Sequence, residues 1–261
     1  MKKYLHILTI ELKNTFAYPG DTWLTAVFSV FSVVLAYLLW SAVFGELKTF
    51  NDFTLPQMVT YYLLSGIVLP LTESNGILYD FSEEIKNGSY SKYMVKPLSP
   101  LGYFLTLSFA RALFPLLSTT VVLSAAMISF GGYFETLRLI NVLKAIPMVF
   151  LGAVLSMTMG YIIAMATFKL TDIGFIFALQ GIITSLLAGA LIPLHMILGT
   201  GVAMWLPFSY TLYYPVMLCM GKSDIPLPQA MGIVSIWILV LLMVALILQQ
   251  RASRAFEGVG L

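Results

Sequence analysis

Long apolar runs are the feature that most constrains the fold of this chain. A segment inside hydrocarbon has to satisfy its backbone hydrogen bonds internally, and a helix of about 20 residues does so while crossing the membrane. The runs lack the two-residue alternation typical of half-buried strands. We therefore predict an all-α integral membrane protein with six transmembrane helices. The six runs cover residues 22–44, 57–79, 101–130, 145–168, 174–198 and 227–248.

The composition agrees with this class and argues against others. Of the 261 residues, 59% are hydrophobic and only 10% are charged. Soluble globular proteins carry about 25% charged residues. The net charge of +2, without a basic stripe, does not suit nucleic-acid binding. Residues 1–261 are interpreted as a single transmembrane domain.

The Lys and Arg residues are divided unequally between the two sides of this topology. Nine of the 14 fall on the side that holds both termini and residues 80–100, four fall on the other side, and Arg111 lies within a span. Short cytoplasmic loops carry an excess of Lys and Arg. This asymmetry predicts a multi-pass protein of the cell (inner) membrane, with both termini in the cytoplasm.

Residues 1–20 form a separate amphipathic element. Leu5, Leu8 and Leu12 fall on one face, Lys13 lies largely opposite, and Pro19 and Gly20 turn the chain into the first span. A helix of this kind lies in the plane of the membrane interface. We predict an interfacial elbow helix that serves as an anchor, as a docking element for a partner, or as both.

The polar segment 80–100 is the longest charged stretch of the chain. Its first residues predict a short helix that exposes Glu83 and Glu84, and Gly88 can adopt the positive φ of a helix C-cap. Pro97 and Pro100 prevent the helix from continuing. The segment is interpreted either as a rigid cytoplasmic handle between two spans or as an ordinary solvated loop.

Residues 193–226 form a second unusual segment. Four prolines, Pro193, Pro207, Pro215 and Pro226, divide it into apolar pieces that are too short to span a membrane. Such pieces fit re-entrant or interfacial helices on the outer side, and an external loop is the alternative.

Two charged residues are placed inside predicted spans. Arg111 lies about 16 Å along its helix from Pro100, and Glu73 lies about 9 Å before Tyr79 at the same membrane boundary. An intramembrane charge is costly and should face protein or water. We predict an intramembrane charge pair between Glu73 and Arg111, with separate snorkelling of the two side chains as the alternative.

The polar and proline-rich segments resemble those of a known family. Residues 85–88, Ile-Lys-Asn-Gly, and 94–100, Met-Val-Lys-Pro-Leu-Ser-Pro, are similar to the cytoplasmic loop between spans two and three of ABC-2-type permeases. Residues 206–208 and 214–215 are similar to the outer re-entrant segment of the same family. The resemblance covers the whole chain and implies the permease subunit of an ATP-binding-cassette (ABC) transporter of the ABC-2, or type V exporter-like, fold.

The resemblance implies the following division of labour. The chain is not an enzyme, it carries no catalytic residue and binds no cofactor, and ATP and Mg act on a partner. Two ABC ATPase subunits and a second permease subunit, identical or homologous, complete the transporter. A pathway poor in charge favours the export of a small apolar or amphipathic compound. The residues that would dock on the ATPase are Glu83, Glu84, Ile85, Lys86, Asn87 and Gly88.

Two other function classes are weighed against this one. A secondary transporter without an ATPase partner, the main alternative, would usually show inverted repeats and a polar site at mid-membrane. An intramembrane enzyme would need a catalytic motif such as His-Glu-x-x-His, which the sequence lacks. His6, His195 and Cys219 have no spacing that suits a metal ion, so no metal site is predicted.

Overall fold

The computed structural model describes residues 2–17, 19–72, 75–95, 98–130, 137–168 and 174–257. Helices dominate these residues, and short 3₁₀ turns occupy Ser89–Ser91 and Pro207–Tyr210. The α-helices are α1 (Lys2–Ala17), α2 (Gly20–Phe44), α3 (Leu55–Thr72), α4 (Asn75–Lys86), α5 (Lys92–Val95), α6 (Pro100–Phe130), α7 (Leu139–Ala166), α8 (Gly174–Leu187), α9 (Leu194–Ala203), α10 (Tyr213–Met220) and α11 (Leu227–Glu257).

Five helices among the described residues are long and apolar enough to cross a membrane: α2, α3, α6, α7 and α11. The predicted span 174–198 is not one continuous helix, because α8 ends at Leu187 and α9 begins at Leu194. The break has a local cause: Gly189 adopts a φ of +81°, and Pro193 precedes the first residue of α9. The described residues therefore contain five of the six predicted spans.

The spans differ in how much of their surface the protein covers. In the most apolar window of α7, 61% of the residues are buried, whereas only 11% are buried in that of α2. Small residues explain the central position of α7. Gly152 allows the backbone at Tyr210 and Thr211 to approach so closely that an added Cβ would collide with the Tyr210 carbonyl oxygen. The exposed apolar surface of α2 is available to lipid or to another protein.

Two buried clusters define the ends of the bundle. The lower end contains Phe81, Tyr90 and Phe104, together with the last turns of α7 and α11. The upper end contains Phe53, Leu194 and all of α10, whose eight residues are buried. The short helices α9 and α10 agree with the prediction that residues 193–226 are divided into short helical pieces.

Helix α1 lies along the first half of α6. The backbone N–H of Ser99 donates to the Tyr4 hydroxyl over 3.3 Å, and twelve residues later the Phe16 ring lies 4.5 Å from that of Phe114. The sequence predicts a helix lying flat in the membrane interface. The contacts align α1 with the first half of α6 through both apolar and charged side chains, and its location in the interface stays a prediction.

Candidate functional site

The residues predicted to dock on a partner, Glu83–Gly88, are called the coupling segment. They form the last turn of α4 and the turn that follows it, at the lower end of the bundle. Gly88 adopts a φ of +71°, so the predicted left-handed turn is confirmed at this position. Ile85 is buried, whereas Glu83, Lys86, Asn87 and Gly88 are exposed. The segment thus has one face in the core and one face in solvent.

Glu84 does not share the exposure of Glu83. Its carboxylate accepts a hydrogen bond from the Lys92 ammonium and another from the Tyr93 hydroxyl, the latter over 2.7 Å. The prediction that Glu84 is exposed is wrong, because these contacts turn it towards α5. Burial and the hydrogen bond to Glu84 raise the pKa of Tyr93 above its ordinary value, so the phenol stays protonated and donates.

An aromatic cluster holds the coupling segment to the spans. Its centre is the Phe81 ring, which is 5.4 Å from the ring of Phe104 on α6 and 5.5 Å from that of Tyr161 on α7. Tyr90 and Tyr93 complete the cluster from the other side. Each such aromatic pair contributes about 0.5–1.5 kcal/mol beyond the burial of its area. The coupling segment is therefore attached to α6 and α7 through packed rings, which restrict its movement relative to these two helices.

Arg111 joins three helices at one point. Its Nε donates to the Glu11 carboxylate of α1 over 2.6 Å, and its Nη1 donates to the Asp80 carboxylate of α4 over 2.7 Å. Glu73, the predicted partner, lies outside the described residues. The sequence reasoning missed Glu11 and Asp80, although Glu11 is the only acid of an otherwise basic amphipathic helix and Asp80 follows Glu73 by two helical turns.

A groove between α2, α3 and the α8–α9 turn runs from the upper end into the bundle. Its outer chamber has a volume of about 560 Å³ and is lined by apolar side chains that include Leu39, Trp40 and Ile192. A middle chamber of about 160 Å³ is lined by several hydroxyl groups, among them Ser29 and Ser65. The outer chamber falls within the range of 300–1,000 Å³ that is typical of small-molecule sites.

An inner chamber continues the groove between α3, α7 and α8. It is small, with a volume of about 40 Å³, and polar residues line much of it: Thr72, Ser156, Gln180, Thr184 and Ser185. The Ser156 hydroxyl donates to the carbonyl of Thr72. The Gln180 side-chain oxygen is buried and has no hydrogen-bond partner among the described residues. The groove therefore changes from apolar at the upper end to polar at depth.

Two adjacent tyrosines of α3 fix the turn that narrows the groove. The Tyr61 hydroxyl donates to the Gly189 carbonyl over 2.7 Å, and the Tyr62 hydroxyl donates to the Leu191 carbonyl. Ala190 lies between these two carbonyls and lines all three chambers. The indole of Trp40 donates to the Tyr62 hydroxyl over 3.0 Å. Ala190 thus lies where the three chambers meet, which we call the junction of the groove. The hydrogen bonds to Gly189 and Leu191 fix the backbone on both sides of Ala190.

A polar contact closes the upper end beside the groove. The Lys222 ammonium donates to the Asp52 carbonyl and lies 4.2 Å from the centre of the Phe53 ring. The His195 ring stacks on Phe53 at 5.2 Å. Asn51 and Asp52 both adopt positive φ, a conformation that Asn and Asp tolerate best among residues other than glycine. These contacts tie the α2–α3 loop to α9 and to the α10–α11 loop.

A comparison with protein families gives one match. Residues 30–260 match the model of a family described as ABC-2 family transporter protein. The match covers the coupling segment, most of the groove lining, α9 and α10, whereas α1 and Ser29 precede it. No curated protein matches the chain.

Proposed function

Because the chain belongs to the ABC-2 transporter family, as a multi-pass membrane permease that works with an ATPase partner, we propose that it exports a small apolar or amphipathic compound. Two ATPase subunits bind and hydrolyse ATP with Mg, and a second permease subunit, identical or homologous, completes the transporter. The groove between α2, α3 and α8 supports the choice of compound, because its outer chamber is large and apolar.

The orientation follows from the distribution of basic residues. The lower end, with both termini and residues 80–100, faces the cytoplasm of the cell (inner) membrane. In a Cys219→Ser background, an impermeant thiol reagent added to intact cells should label Thr49→Cys but not Ser91→Cys. Both positions are exposed, so accessibility within the protein does not bias the comparison. Labelling of Ser91→Cys alone would reverse the orientation.

The coupling segment is the proposed contact with the ATPase, and its two-faced burial is the observation that carries this assignment. Glu83, Lys86, Asn87 and Gly88 present an exposed surface, while Ile85 anchors the segment in the aromatic cluster. Because Phe81 packs on Phe104 and on Tyr161, a displacement of the segment is passed directly to α6 and α7. Closure of the ATPases on ATP then drives the bundle from inward-open to outward-open, and residues 193–226 serve as an outer re-entrant segment.

Co-purification tests this contact. The permease, purified in mild detergent from its native host, should carry an ABC ATPase chain that mass spectrometry identifies. Glu83→Arg and Gly88→Trp should abolish that association, because one reverses a surface charge and the other adds bulk at a positive φ. Glu83→Arg should leave the stability of the permease nearly unchanged. Gly88→Trp should lower its free energy of unfolding by about 1 kcal/mol.

Glu46→Arg is the matched control. Glu46 is an exposed acid in the turn after α2, on the other side of the membrane in the proposed orientation, and its reversal should leave ATPase binding intact. Retention of the ATPase by both coupling-segment variants would place the contact elsewhere. A permease that transports in proteoliposomes without any ATPase would instead support the secondary-transporter alternative.

A further inference from the structure

The three chambers of the groove differ in chemistry along its length, and we infer from this gradient that the groove binds an uncharged, single-chain amphiphile. The head group, which carries a hydrogen-bond donor such as a hydroxyl, occupies the inner chamber at Gln180, and the apolar tail occupies the outer chamber beside Trp40. This inference rests on the proposed function, since it assigns the compound that is exported, but it concerns binding and needs no ATPase.

The three chambers are adjacent to one another, since neighbouring chambers share lining residues, and in this proposal they form one passage. Ser32, Tyr62 and Ala190 line both the outer and the middle chamber, and Leu69, Ala190 and Leu212 line both the middle and the inner chamber. A chain threaded past Ala190 can therefore reach from the upper end of α2 to the polar residues between α3, α7 and α8. The narrow junction suits a single unbranched chain.

The ligand is uncharged because the described part of the lining offers nothing to compensate a charge. Among the described residues, those that line the three chambers include no Asp, Glu, Lys, Arg or His. An unpaired charge taken from water into such surroundings costs several kcal/mol, whereas a neutral polar group that finds a hydrogen bond costs little. Carboxylates and quaternary ammonium ions are both disfavoured by this lining.

The head group is a donor because the inner chamber contains an acceptor without a partner in the described part of the chain. Buried polar atoms are nearly always hydrogen-bonded, and a missing partner costs about 1–3 kcal/mol. The Gln180 side-chain oxygen is in this position, at the wall of a chamber that also contains the hydroxyl groups of Ser156 and Thr184. A ligand hydroxyl would donate to Gln180 and accept from a neighbouring hydroxyl.

Site-specific quenching tests the proposal with a defined probe. The full-length permease, with Trp23, Trp205 and Trp237 replaced by Phe, retains Trp40 as its only indole and is placed in phosphatidylcholine nanodiscs. The probe is 1-(11-bromoundecanoyl)glycerol, whose bromine at the tail end quenches an indole on contact. We expect saturable quenching of Trp40. A chain that retains only Trp23, on the same helix but outside the groove lining, reports the probe dissolved in lipid and should show quenching that does not saturate.

Charged probes and groove variants supply the decisive comparisons. 11-Bromoundecanoate and 11-bromoundecyltrimethylammonium should each need at least about five times more probe for half-saturation, and Gln180→Leu should weaken binding of the glycerol ester about fivefold, the loss expected for one hydrogen bond. Ala190→Leu, which fills the junction but keeps Gln180, should also weaken it. Thr120→Val is the control, because Thr120 bonds to the Leu116 carbonyl of its own helix and lines none of the three chambers.

Three results would overturn the proposal: quenching of Trp40 that matches that of Trp23, equal binding of the charged probes, or unchanged binding in both Gln180→Leu and Ala190→Leu. Because the measurement uses the permease alone, a failure of ATPase co-purification leaves its outcome unaffected. Saturable binding together with a failure of any ATPase to co-purify would contradict the proposed function and still support the site.

Discussion

The two ends of the bundle are held together by different kinds of contact. At the lower end, contacts between side chains predominate: four aromatic rings surround Phe81, and charged groups connect α1, α4 and α6 through Arg111. At the upper end, many contacts involve the backbone: Tyr61 and Tyr62 donate hydrogen bonds to backbone carbonyls, and Gly152 packs against the backbone at Tyr210. The lower end is suited to move as one body, and the upper end to change at its turns.

The strongest test of this contrast is Gly152→Leu. A side chain at this position has to displace backbone of the segment before α10, and backbone in a buried cluster has no flexible end that can give way. We expect little or no monodisperse protein after detergent extraction. Gly232→Leu on α11 is the control, because an added Cβ there meets open space, and it should melt within a few degrees of the parent. A stable Gly152→Leu protein would show that the upper end is loosely packed.

The second test removes the centre of the lower cluster. Phe81→Ala should lower the free energy of unfolding by about 3–5 kcal/mol, the usual cost of deleting a buried phenyl ring. It should also prevent a movement of the coupling segment from reaching α6 and α7. Thermal unfolding in detergent measures the first effect, and the stimulation of the partner's ATPase activity measures the second. Phe28→Ala, at a position 60% exposed on α2, should change neither by much. Equal losses in the two variants would remove the distinction between cluster and surface.

The third and smallest effect concerns the charges around Arg111. A double-mutant cycle of Arg111→Leu with Glu11→Leu should give a coupling of about 1.5 kcal/mol, because Glu11 is well shielded by α1 and α6. The cycle with Asp80→Leu should give less than about 1 kcal/mol, since more than half of the Asp80 side chain is exposed. Additive losses for Glu11 would contradict the contact between α1 and α6.

The same cycle with Glu73→Leu tests the pair predicted from the sequence. A coupling well above about 0.5 kcal/mol would place Glu73 among the partners of Arg111, and strict additivity would favour independent snorkelling of the Glu73 side chain.

The parts that the sequence predicted well are those with local causes. Apolar run length predicted α2, α3, α6, α7 and α11, and the Asn-Gly pair predicted the left-handed turn at Gly88. The span predicted from residue 57 begins in the structure at Leu55, where Thr54 and Gln57 cap each other through side chain and backbone. The division of residues 193–226 by its prolines also follows from the backbone chemistry of proline.

The parts that escaped prediction depend on residues distant in the chain. Glu11 meets Arg111 across 100 positions, and no periodicity within α1 or α6 encodes that contact. The break after α8 was missed because an apolar run indicates length, whereas the positive φ of Gly189 and the bond of its carbonyl to distant Tyr61 determine where the helix stops. The groove itself arises only when α2, α3, α6, α7, α8 and the α8–α9 turn are brought together, so its gradient of polarity has no signature in any one segment.

The attachment of the Gly189–Leu191 turn to two neighbouring tyrosines has a mechanical consequence. Tyr61 and Tyr62 project about 100° apart around the axis of α3, so their two hydrogen bonds can be kept together only at one rotation of that helix. If α3 rotates about its axis, either the Gly189–Leu191 turn moves with it or the hydrogen bonds of Tyr61 and Tyr62 to the two carbonyls break. We therefore expect a rotation of α3 about its axis to change the width of the groove at Ala190, because both hydrogen bonds join that helix to the turn.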